Sequence, residues 1–93
     1  MLREQVVKLS TPITFGNQPV EEFTIVEATL DTLEKLESYT GLAYFRRLIA
    51  ACSSNPKLDA PTIGRLSSSD YGKAMTALTE VMKADDPEAP KDE

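Results

Sequence analysis

The chain has 93 residues and a mass of 10.2 kDa, enough for one domain and too little for two. With 41% apolar and 27% charged residues it has the composition of a globular chain, and a domain of this size buries only about 60–65% of its unfolded surface, so its own stability is expected to be modest. It has no His, one Cys and no Trp, which excludes imidazole acid/base catalysis, His-ligated metal, an internal disulfide and a Cys-based zinc site.

Net charge is −5, and its distribution matters more than its size. Residues 85–93 hold five acids (Asp85, Asp86, Glu88, Asp92, Glu93) against one base (Lys91), a net −4, which leaves −1 for residues 1–84. Binding to nucleic acid needs clustered Lys and Arg, and no such cluster is present. No apolar run approaches the roughly 18 residues of a membrane span, and Met1–Ser10 carries charge where a signal peptide needs an apolar segment, so a cytoplasmic protein is expected.

In chain order, Val7, Leu9, Ile13 and Phe15 share one parity, which is strand spacing, with Pro12 marking an edge position. Gly16-Asn17-Gln18-Pro19 is turn chemistry, and Val20–Glu27 is a second strand with Phe23 and Ile25 on one parity. A two-residue turn at Gly16-Asn17 would set odd positions of one strand against even positions of the other. One buried face therefore predicts a three- or five-residue loop, or a bulge, with Leu9, Ile13, Phe23 and Ile25 together.

Leu30, Leu33 and Leu36 predict an amphipathic helix over 28–38 with Thr29 as N-cap and Asp31 in the first turn. Leu42–Cys52 predicts a second helix, with Leu42, Phe45, Leu48, Ile49 and Cys52 on its main apolar face and only Arg46 and Arg47 polar. A helix apolar nearly all round is the central helix of a domain. Alternatively, Tyr44, Arg47 and Ala51 form a protein-binding face. Ser53–Pro56 reads as a loop. Asp59 then caps a short helix with Pro61 in its first turn and Ile63 and Leu66 as contacts. Ser67 and Asp70 have capping-box spacing at the start of the last helix, whose stripe Tyr71, Ala74, Met75, Leu78 and Met82 is expected to face the core. Two prolines and acids without a large apolar residue make 85–93 a disordered tail.

The expected architecture is α+β: an N-terminal β-hairpin packed on a small bundle of about four helices, forming one domain over 1–84, then the tail. No catalytic, cofactor-binding or metal-ligating set emerges. Glu21 and Glu22, as strand neighbours, point to opposite faces. Ser67, Ser68 and Ser69 have no base and read as caps. Cys52 lies in an apolar stretch and reads as a small core residue. The four glycines lack phosphate-cradling spacing, and Ser68-Ser69-Asp70-Tyr71 has the wrong order for an acyl-carrier attachment site.

The run from Val7 to Glu27 resembles the opening of small tail assembly chaperones of Mu- and P2-like contractile-tailed phages. Those chains begin with Leu-x-x-Pro-Ile-Thr, a Gly-containing turn and a Glu-x-Leu-Thr-Leu-like strand. The matching residues are Leu9, Pro12, Ile13, Thr14, Gly16, Glu22, Thr24 and Ile25, with a loose counterpart at Thr29–Leu33 and a later one at Leu66–Tyr71. The similarity runs over about residues 6–83. It implies a non-enzymatic protein of the host bacterial cytoplasm, without cofactor or metal. Such a protein binds the tape-measure protein, keeps its apolar helices soluble and assists assembly of the tail tube protein. The alternative is a small protein–protein adaptor or regulator acting as a homo-oligomer through Tyr44, Arg47 and Ala51, a face that Arg47→Glu would disrupt. A carrier domain is a distant third.

Overall fold

Gly16 and Asn17 both have positive φ, 59° and 68°, the combination a two-residue type I′ hairpin turn requires. They fold strand β1 (Glu4–Phe15) back on strand β2 (Gln18–Val26). In the computed structural model, which describes residues 3–83, the elements follow as α1 (Leu30–Lys35), α2 (Gly41–Cys52), β3 (Ser53–Ser54), α3 (Ala60–Ile63) and α4 (Ser68–Val81). The fold is α+β, a three-stranded antiparallel sheet in the order β1-β2-β3 with four helices. The acidic segment 85–93 lies outside the described residues.

The parity conflict read from the sequence is solved by a bulge and not by a longer loop. Near the turn Ile13 pairs with Val20, while beyond the bulge Val7 pairs with Phe23. Between them the four residues Leu9–Pro12 stand opposite Glu21 alone. This extra length returns odd positions of β1 to the inner face, so that Val7, Ile13, Val20, Phe23 and Ile25 are all buried and Leu9 packs against them. Pro12, which has no N–H to give, sits in the bulge of an edge strand, as its chemistry demands.

The bulge is held from outside the sheet. Asp70, in the first turn of α4, is fully buried. The Ser10 amide and hydroxyl donate to its Oδ1 at 2.9 and 2.8 Å, and the Thr11 amide donates to its Oδ2 at 3.0 Å. The Ser10 amide is the leading reason its carboxyl is held well below the usual carboxylate range. Burial opposes this, and the Thr11 amide with the Ser10 and Ser67 hydroxyls adds to it. Along the same edge Lys73 Nζ donates to the Lys8 carbonyl at 3.2 Å and Arg65 to the Thr14 carbonyl at 2.8 Å. Side chains from the helical half thus occupy β1 backbone groups that would otherwise invite another strand.

The three expected caps form. Thr29, Asp59 and Ser67 each accept the N–H three residues on, from Thr32, Thr62 and Asp70. The core joins the inner sheet face to Leu48, Ile49, Ala50 and Cys52 of α2, to Leu58 and Ile63, and to Ala74, Ala77, Leu78 and Val81 of α4.

Four expectations change. Helix α1 is six residues long and buries none of them; Leu30, just after the cap, is 69% exposed. Leu42 is 73% exposed, because only the second half of α2 enters the core. The stretch read as a loop contains β3, which pairs Ser53 and Ser54 with Ile25 and Thr24. Finally, α4 is rotated: its buried line is Asp70, Ala74, Ala77, Leu78 and Val81, whereas Tyr71 and Met75 are half-buried and Met82 is exposed.

Ser53 makes a second clasp. Its buried hydroxyl accepts the Leu58 amide at 2.7 Å and donates to the Ala50 carbonyl at 2.7 Å, tying the end of α2 to the loop that follows. Ser53→Ala leaves the buried Leu58 amide without that acceptor and is expected to destabilise the fold by about 1–3 kcal/mol in denaturant unfolding. Asp70→Asn replaces a pure acceptor facing three donors and lowers the melting temperature at neutral pH. Because the folded-state carboxyl titrates below its ordinary value of 3.8, its stabilising effect is complete above that pH and fades as pH falls below it. Melts of both proteins at about pH 7 and about pH 3 should therefore show the wild-type advantage shrinking on acidification.

Candidate functional site

The rotation of α4 creates an open face. Tyr71, Met75 and Met82 lie about 100° round the helix from its buried line, with Leu78 bridging the two. Asp70 fixes that rotation, since its carboxylate must face the β1 bulge. The resulting shoulder of α4 lies beside α2, whose exposed first half offers Leu42, Tyr44 and Phe45.

Between the two helices runs an apolar seam with two depressions. One, of about 300 Å³, is lined by Leu42, Arg46, Ile63, Gly64, Leu66, Ser68 and Tyr71. The other, of about 290 Å³, is lined by Tyr44, Phe45, Leu48, Met75, Leu78, Thr79 and Met82. Early α2 faces early α4 and later α2 faces later α4, so the helices run in the same direction along the seam. From Tyr71 to Met82 it extends about 16 Å, three helical turns. Tyr44 and Phe45 meet edge-on, their ring centroids 5.2 Å apart. Two methionines on one wall give it a flexible, polarisable surface that can adjust to varied side chains.

Of the residues expected to bind a partner, Tyr44 borders this seam. Arg47 and Ala51 follow it on α2 but line neither depression. The Arg47 guanidinium carbon lies 4.3 Å from the centroid of the Tyr39 ring, and the Ala51 carbonyl accepts Lys57 Nζ at 2.6 Å. Arg47 borders a separate depression of about 350 Å³ with Ala43, Arg46, Ala60 and Pro61. The sequence places Tyr71, Ala74, Met75, Leu78 and Met82 on one core-facing stripe; Ala74 and Leu78 are buried, Tyr71 and Met75 pack half-buried against the core, and Met82 is exposed. Their neighbours Asp70, Ala77 and Val81 form the alternative line that marks the core face.

Other features carry less chemistry. A depression of about 510 Å³ lies beside β2, bordered by Phe15, Pro19, Val20, Glu21, Glu22 and Pro56. Glu22 pairs with Lys8, and Glu21 stands against the bulge. Among the described residues no group of three or more His, Cys, Asp or Glu side chains could hold a metal ion, and no helix is long and apolar enough to cross a membrane. Cys52 is buried, and burial pushes its thiol up while nearby Lys57 pulls it down more weakly. The thiolate is the reacting form, so Cys52 should remain unmodified by Ellman's reagent in the native protein and react fully once the chain is unfolded in guanidinium.

Comparison of the chain with protein-family models, characterised proteins and solved structures finds no match.

Because Leu42 is 73% exposed, Leu42→Glu is expected to change stability by no more than about 0.5 kcal/mol, measured by denaturant unfolding.

Proposed function

We propose that the protein is a non-enzymatic phage tail assembly chaperone that binds the tape-measure protein in the host bacterial cytoplasm and assists assembly of the tail tube. The observation that carries this reading is the α2–α4 seam, an open apolar surface about three turns long between two helices. An amphipathic helix lying in such a groove buries its own apolar face there. A chaperone for long apolar helices needs a surface of this kind: shallow enough to release its client and adaptable enough to accept several sequences. The likeness of residues 6–83 to tail assembly chaperones supplies the client, and the near-neutral body with an acidic tail suits a carrier of insoluble segments.

A second reading, a homo-oligomeric adaptor acting through Tyr44, Arg47 and Ala51, is favoured by the exposure of Arg47 and Ala51 on α2. The two readings predict different sensitive residues.

The test is co-expression with the tape-measure protein of the same genome. The chaperone reading expects that protein to become soluble and to co-purify with this chain. Leu42→Glu or Met75→Glu should abolish co-purification, while Arg47→Glu should retain it. If Arg47→Glu abolishes partner binding or self-association and the seam variants do not, the adaptor reading replaces it.

A further inference from the structure

We propose that the α2–α4 seam takes an amphipathic helix of a protein partner that carries a carboxylate side chain at the Leu42 end, and that Arg46 is the residue that selects it. This rests on the seam being a protein-binding surface and adds the charge of its occupant.

Of the side chains that line the two depressions, Arg46 alone is charged. It stands at the Leu42 end, while the Met82 end is lined by uncharged groups only. Its position is set from two directions. Its Nε donates to the Ala60 carbonyl at 2.9 Å, and its guanidinium rests on Gly64, where a Cβ would stand only 2.6 Å from Cζ. With Nε committed, Nη1 and Nη2 form the remaining edge of the fork, and among the described residues neither has a partner. An arginine held in this way offers a carboxylate two parallel N–H groups at little further loss of freedom.

The charged groups on the elements around this end supply no acid for it. Asp59 accepts the Thr62 amide at the start of α3. Asp70 is buried against Ser10 and Thr11, with Lys73 paired to it. Arg47 lies over the Tyr39 ring, and Arg65 donates to the Thr14 carbonyl. Helix α2, helix α3 and the start of α4 therefore bring three arginines and no carboxylate that is not already engaged.

A second copy fits less well. In a two-fold pair docked seam to seam, Arg46 meets either the uncharged Met82 end of the other copy or that copy's own Arg46. Neither supplies a carboxylate. A foreign helix with an apolar face and Glu or Asp at one end meets both the apolar wall and the cation.

The test uses fluorescently labelled synthetic peptides of about five helical turns that share one Leu/Ala stripe and neutral polar positions. They differ only in their two terminal turns, which carry Glu in one peptide, Gln in the second and Lys in the third, so that either docking direction brings the varied residue to Arg46. Binding to the full-length chain is read by anisotropy. At low salt the Glu peptide should bind about 5-fold tighter than the Gln peptide. That preference should vanish at about 1 M salt, where the screening length is about 3 Å. Arg46→Gln should remove it by weakening the Glu peptide alone, and Arg46→Glu should turn it toward the Lys peptide, whereas Arg47→Gln should leave it in place. Met75→Glu and the more exposed Leu42→Glu should each abolish binding of all three peptides. Equal affinity for the Glu and Gln peptides, a preference that survives Arg46→Gln or is lost with Arg47→Gln, or loss of both peptides together in Arg46→Gln, overturns selection by Arg46 and leaves the seam standing. Failure of all three peptides to bind, or binding that survives both seam variants, overturns the seam as well. A mass in light scattering that doubles with concentration and is reversed by Met75→Glu assigns the face to a second copy and also overturns the proposal.

Discussion

A buried carboxylate that must meet a strand bulge organises this molecule. Asp70 is fully enclosed, and an enclosed carboxylate is tolerated only where donors replace its lost water. The bulge supplies them, because residues squeezed out of the β1–β2 ladder have backbone amides with no strand partner. Each feature needs the other. Without the bulge, one segment of β1 would turn its apolar side chains to solvent; without Asp70, the amides of Ser10 and Thr11 would lack their acceptors. The same contact fixes the position and rotation of α4.

The open seam follows from this constraint. With Asp70 turned to β1, the small residues Ala74 and Ala77 lie against the sheet, which lets α4 approach closely, and Leu78 and Val81 complete the packing. The larger Tyr71, Met75 and Met82 are displaced to the shoulder beside α2. There Leu42 projects from the half of α2 that the core does not reach. Two helices thus share an apolar stripe that the core covers only in part. An exposed apolar stripe of this kind marks an interaction surface, which connects the packing of α4 to the proposed role in binding.

The parts of this structure legible in the sequence are those set by neighbours along the chain. The capping residues Thr29, Asp59 and Ser67, the hairpin with Phe23 and Ile25 inward, the place of Pro12 and the burial of Cys52 all depend on local chemistry or on a simple period. The rest depends on contacts across the chain. Parity showed that a bulge or a longer loop was needed but could not place it, because the acceptor for the bulge lies 60 residues away. Strand β3 is two serines long, too short for any period to register. The α4 stripe is borne out at Ala74 and Leu78 and only partly at Tyr71 and Met75, while Met82 is exposed, because Asp70, Ala77 and Val81 share the inner line. Tyr44, expected at a partner face, and Met75 and Met82, expected in the core, line the same depression for that reason.

The most direct test of the account exploits Met75 and Met82, which both border the seam. With 13C-labelled methionine methyl groups in this chain, NMR spectra recorded with and without the unlabelled tape-measure protein, the proposed client, can be compared. The account predicts that the Met75 and Met82 methyl resonances move on binding. Met75 and Met82 resonances that keep their free-state positions in its presence would contradict it.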